Sequence, residues 1–148
     1  MAARKLLAEP CTQAEIRRAA STAYYAMFHH LCACFAEIVL HPAHADFSRA
    51  RLQAYRFLEH GTAKARCLEA RASARQFPAG IVQFSETFVK LQERRLEADY
   101  DPAIVIVRGA AEILVNNAEA AIAAFDREAP EHRRAFAIFA ALKQKGRG

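Results

Sequence analysis

The string RRLEADYDP, residues 94–102, places Arg94, Arg95, Asp99 and Tyr100 close together. Two guanidiniums, a carboxylate and a phenol in so short a span could clamp a phosphate and move a proton. Arginine grips phosphate oxygens through paired N–H bonds. A carboxylate such as Asp99, with an ordinary pKa of about 3.9, accepts a proton but rarely donates one near neutral pH. A phenol such as Tyr100, ordinarily near 10, donates a hydrogen bond and is a poor base. Cutting RNA without a metal needs a base for the 2′-hydroxyl, an acid for the leaving oxygen and positive charge on the phosphate. The 2′-hydroxyl would also let such a site reject DNA. The string supplies the charge, but residues 99–102 hold no histidine to serve as acid or base.

A second row of chemistry-bearing residues lies early in the chain. Arg18, Thr22, Tyr25 and His29 recur at spacings of 4, 3 and 4, which puts them on one helix face. A guanidinium, two hydroxyls and an imidazole in line suit contacts to phosphates and base edges. The same face also suits a bundle interior in which Tyr25 hydrogen-bonds to Arg95 and Asp99, since buried tyrosine hydroxyls find partners. Ile81, Phe84, Phe88, Leu91 and Arg95 form another stripe, so Arg95 is expected at the core edge with Asp99 one helical turn on. That spacing predicts an Arg95–Asp99 ion pair. The pair would tie one helix to the turn that follows it, or meet RNA or a nucleotide. If the two stripes meet, His29 could bring an imidazole to the cluster from another helix.

Other chemistry is thin. His30 and Cys34 share a helix face, and His41 and His44 follow, but Cys32 and Cys34 diverge by about 200° on a helix, so no metal site and no cofactor is expected. No phosphate-binding glycine loop or nucleophile elbow occurs. His60, four residues after Arg56, reads as surface detail.

Helices must position these residues. Thr12 and Glu15 match a capping box. From there to about Leu40 neither glycine nor proline intervenes, and Tyr24, Phe28, Leu31, Phe35 and Ile38 form a helical seam. A helix of that span would be roughly 40 Å long. HPAHAD, residues 41–46, reads as a connection. A second helical region runs from about Asp46 to Arg75, with a break expected at Gly61 and Thr62. RQFPAG, residues 75–80, reads as a further connection, and a third helix spans about Ala79–Ala98. Asp101 and Pro102 read as N-cap and first residue of a fourth helix. It would follow Ile104, Val107, Ala111, Leu114, Ala118, Ala121 and Phe125 to about Arg127, although residues 104–107 taken alone resemble a short strand. A last helix follows Pro130 and ends in the basic tail KQKGRG. The expected fold is all-α, an antiparallel bundle of about five helices in one domain over residues 1–148, its core at 12–127 and its C-terminal helix and tail at 130–148.

Composition agrees. The 148 residues are 53% hydrophobic and hold only five glycines and five prolines, which argues against disordered and all-β classes. A net charge of +5 and a pI near 9.3 lean toward anionic partners, or describe a solvated surface. The four cysteines form no small disulfide framework. The first residues lack the apolar stretch of a secretory signal. The longest uncharged run, residues 19–36, carries polar groups and reads as a core helix. A reducing cytoplasm, without membrane insertion, is the expected setting.

RRAASTAYYAMFHHL, residues 17–31, resembles the first-helix signature of HEPN (higher eukaryotes and prokaryotes nucleotide-binding) domains. In one bacterial branch that helix carries a similar Arg, small-residue, Ser-x-Ala-Tyr-Tyr-Ala-x-Phe-His string. RRLEADYD is similar to that branch's Arg-x-x-Ala-Asp-Tyr string late in the third helix, and the Ala-rich helix ending AEAAIAAF fits as well. The resemblance covers roughly residues 12–127. It implies a helical bundle that dimerises and works on RNA or nucleotides, in places as a metal-independent ribonuclease toxin beside a nucleotidyltransferase-type antitoxin. Arg94 or Arg95 stands for the motif arginine; the motif histidine, four to six positions further on, is replaced by Asp99, Tyr100, Asp101 and Pro102. The expectation is therefore an RNA- or nucleotide-binding homodimer of a toxin–antitoxin-like module with weak or no catalysis. The alternatives are an active ribonuclease toxin with an altered site, and a bundle that only docks a partner protein.

Overall fold

The Thr12 hydroxyl accepts from the Glu15 backbone N–H while the Glu15 carboxylate accepts from the Thr12 N–H, closing the expected capping box. In the computed structural model, which describes residues 1–40, 48–72 and 76–143, this box starts the longest helix. Among the described residues there are seven helices: α1 (Ala2–Lys5), α2 (Gln13–Val39), α3 (Ser48–Tyr55), α4 (His60–Ala72), α5 (Ala79–Tyr100), α6 (Arg108–Arg127) and α7 (Pro130–Ala141). No strand occurs among them. The all-α expectation is met, with more and shorter helices than five.

α5 packs against α2, α4 and α6, and α7 closes against α2 and α4. Chain directions follow from pairs at each end. Tyr25 meets Arg95 and Ser21 meets Asp99, so α2 and α5 run antiparallel. The Gly80 N–H donates to Glu128, so α5 and α6 are antiparallel too. Gln13 meets Ile106 and His30 meets Asp126, so α2 and α6 run alongside in one direction.

The predicted seams form the core: Tyr24, Leu31, Ile81, Phe84, Phe88, Leu91 and Phe125 are fully buried or nearly so. Each such side chain contributes about 1.5–3 kcal/mol by leaving water. Ala111, Ala118 and Ala121 are buried on α6, and their small side chains let neighbouring helices approach closely.

Three expectations need correction. α1 had no signal in the sequence reading; its Arg4 reaches Glu119 and Asn116 of α6. The break in the second helical region falls at residues 56–59, between α3 and α4, rather than at Gly61 and Thr62. Helical bonding starts with Glu59 O accepting from Ala63 N–H, and Gly61 sits exposed inside the first turn of α4. The fourth helix starts at Arg108, not at Asp101 and Pro102. Residues 104–107 are not helical, Val107 is extended, and their burial alternates with a period of two as in a strand, Ile104 and Ile106 inward and Val105 and Val107 outward. The HPAHAD connection, with Asp46, lies outside the described residues, as does the tail beyond Lys143.

Candidate functional site

Two side chains from the start of α2 hold the extended segment in place. The Gln13 side chain donates to Ile106 O and accepts from Ile106 N–H, at 2.8 and 2.9 Å, copying a strand partner. Arg17 donates to Ala98 O and Asp101 O, both at 2.8 Å, and to Ile104 O. One guanidinium thereby satisfies carbonyls left open at the end of α5 and in the loop after it. Asp101 ends α5 as its C-cap, and its side chain accepts from Ala103 N–H at 2.9 Å, which closes a turn instead of capping the start of a further helix.

With the end of α5 so fixed, the two expected stripes meet. The Arg95 Nη2 donates to the Tyr25 hydroxyl at 2.7 Å. Its Nε stands 3.3 Å from Asp99 Oδ2, at ion-pair distance but without the alignment of a hydrogen bond. The Ser21 hydroxyl donates to the same Asp99 oxygen at 3.2 Å. The guanidinium carbon lies 5.2 Å from the Tyr25 ring centre, 5.6 Å from that of Tyr24 and 5.9 Å from that of Tyr100. Three aromatic faces, a hydroxyl and a carboxylate thus surround one cation that is only 13% exposed. The Tyr25 bond favours the charged form of Arg95 and raises its pKa, while burial opposes it.

The cluster forms one wall of an open groove of about 720 Å³, lined by Arg17, Arg18, Ser21, Thr22, Tyr25, Asp99 and Tyr100 among others. Arg18 is exposed, so its charge is available to a ligand, and Tyr100 is 71% exposed. Arg18, Thr22, Tyr25, Arg95, Asp99 and Tyr100 are therefore brought together. Arg94 is not: it points outward and pairs with Glu97 at 2.8 Å. Of the two arginines that could stand for the motif position, Arg95 is the one in the cluster.

His29 lies past Tyr25, its ring stacked toward Tyr25 at 6.1 Å, and its Nδ1 is 2.7 Å from the Tyr55 hydroxyl. His60, read as surface detail, belongs to this region. Its Nδ1 is 2.6 Å from the Tyr24 hydroxyl, and its ring stacks on Phe28 at 3.8 Å and meets Tyr25 edge-on. Burial, then the Arg95 charge and His29, lower the His60 pKa from its ordinary value. Burial pushes the Tyr24 phenol up, so Tyr24 keeps its proton in its hydrogen bond with His60 Nδ1. Both burial and the Arg95 charge thus favour the neutral His60 imidazole, and its Nδ1 is occupied by Tyr24.

The sequence reading missed Gln13, Arg17, Ser21, Tyr55 and His60. Arg17, Ser21 and Tyr25 did share an i, i+4 row, a signal that was present; His60 had none, because only the packing of α4 on α5 brings it near. Among the described residues no three His, Cys, Asp or Glu side chains gather as metal ligands, and His41 and His44 lie outside those residues. All four cysteines are free. Burial pushes the Cys67 thiol up to about 12 and the Cys32 thiol to about 11, so both are core residues with no nucleophilic role. No described helix is long and apolar enough to cross a membrane.

A scan with protein-family models gives no match, and comparisons with curated proteins and with solved structures give none either. What the chain does must be read from its own geometry.

Proposed function

We propose that this chain is a HEPN-like module that binds RNA or nucleotide phosphates, with weak or no catalysis of its own. The observation that carries the reading is that Tyr25 and Asp99, both held by Arg95, line a groove together with Arg18, Thr22 and Tyr100. Arg18 would meet phosphate directly. Arg95, already held by Tyr25 and Asp99, would add a fixed positive field at the groove wall and change little on binding. Thr22 and Tyr100 would offer hydroxyls to phosphate or sugar oxygens. Weak catalysis follows from the acid–base groups: residues 99–102 hold no histidine, and the His60 Nδ1 is taken by Tyr24. The resemblance further supports a homodimer and a nucleotidyltransferase-type partner, which size-exclusion chromatography and co-purification would test.

Anisotropy with a single-stranded RNA at several salt concentrations tests the reading. Binding should weaken with salt, and Arg18→Ala should make the log–log slope shallower by about 0.7, as for the loss of one phosphate contact. Total RNA incubated in EDTA should stay intact. Salt-independent binding, or none, refutes the reading; EDTA-resistant cleavage abolished by Arg95→Ala would replace it with an active ribonuclease.

A further inference from the structure

Beside the phosphate groove lies a second one, of about 400 Å³, between α2, α3 and the start of α4. Phe28, His29, Leu52, Tyr55, Arg56 and His60 line it with others. That size is within the range of small-ligand sites. Its walls are mainly ring faces and aliphatic groups, and among the described residues no carboxylate lines it. Tyr25 connects the two grooves: it lines the first, and its ring stacks toward His29, which lines the second. The rings of Tyr25, His29 and Tyr55 form a ladder, with centres 6.1 and 5.8 Å apart and planes within 28° and 14° of parallel.

Two tyrosine–histidine pairs set the polarity. Burial raises the pKa of both Tyr55 and Tyr24, so both phenols stay protonated, and their hydroxyls are hydrogen-bonded to Nδ1 of His29 and His60. With Nδ1 of each imidazole engaged in this way, Nε2 is the ring nitrogen that can meet a ligand. With the exposed Arg56 guanidinium, the groove offers donors around an aromatic floor. That combination suits a flat heterocycle with acceptors on its edge.

We infer that this second groove takes an unpaired nucleobase of the strand whose phosphate lies beside Arg18 and Arg95. The inference rests on the phosphate-binding reading and names the chemical group recognised next to it. Stacking on aromatic side chains is tolerant of base identity and needs a single strand, because paired bases keep their faces covered. Tyr55 is the residue to test, since it is only partly buried and sits at the edge of the core on α3, which contributes no buried residue.

The experiment compares the full chain, in EDTA, with a single-stranded RNA oligonucleotide and an abasic ribose–phosphate oligomer of equal length. Wild type should bind the RNA at least about fivefold more tightly, the low end of one base–aromatic stack. Tyr55→Leu should bring RNA down to the abasic level and leave the abasic oligomer unchanged, whereas Tyr55→Phe should keep most of the preference. The wild-type comparison needs no variant and so survives any misfolding of Tyr55→Leu. Equal binding of both oligomers, still weakened by Arg18→Ala, would overturn the base subsite and leave the phosphate groove standing. Binding of neither would overturn both.

Discussion

Replacing Tyr25 with phenylalanine removes one atom from the cluster, the hydroxyl that accepts from Arg95 Nη2 at 2.7 Å. The ring stays, and with it the cation–ring contact at 5.2 Å. Hydrogen bonds to charged groups contribute about 1.5–3 kcal/mol. Arg95 is 13% exposed, so water can reoccupy the vacated position only in part, and its Nε already lacks a hydrogen-bond partner. We expect a loss of about 1.5 kcal/mol, a fall in Tm of roughly 3–6 °C for a chain of this size. The check is a double-mutant cycle with Arg95→Met, which keeps the apolar stem and deletes the charge. If the hydroxyl acts through Arg95, Tyr25→Phe should cost almost nothing in the Arg95→Met background, a coupling of about 1.5 kcal/mol. Equal costs in both backgrounds would show that the hydroxyl does not hold the guanidinium, and the site would lose its central contact.

Arg17→Ala strands the carbonyls of Ala98, Asp101 and Ile104 at once and should cost about 2–4 kcal/mol by chemical denaturation, with faster amide exchange in residues 101–107; a loss under 1 kcal/mol would show that water replaces it. Gly80→Ala should destabilise by about 1–3 kcal/mol despite alanine's better helix propensity, because its Cβ would lie 2.5 Å from both Ala124 O and Glu128 Oε1; unchanged Tm would refute the close approach. His60 has a folded pKa below its ordinary 6.5, so its contribution to stability is complete above that value and lost as pH falls through the lowered one. Wild type should therefore lose more Tm than His60→Gln on acidification below about 6.5, and parallel profiles would remove His60 from the account.

Local rules were enough wherever a residue's partner lies within a turn or two. The Thr12–Glu15 capping box, the seams of α2 and α5 and the Arg95–Asp99 spacing all depend on helical periodicity, which a one-dimensional string records. The same periodicity placed Arg95 at the core edge and Tyr25 on a second face of α2, so the meeting of the two stripes could be anticipated. It could not decide residues 101–107. A proline after an aspartate and an apolar spacing that continues into α6 both favour helix there. The extended form wins because Gln13 and Arg17, more than eighty positions away, supply the hydrogen bonds that a helix would have made internally.

What the sequence by itself determined is the helical class, the main seams and the residue types of the charged cluster, because periodicity and capping are properties of neighbours. Only the tertiary structure decided that Arg95 packs among the tyrosines beside Asp99 while Arg94 turns out to Glu97, that His60 joins the tyrosines, and that a second aromatic groove opens beside the first. Those outcomes depend on how whole helices pack, which sets distances between residues that share no local spacing.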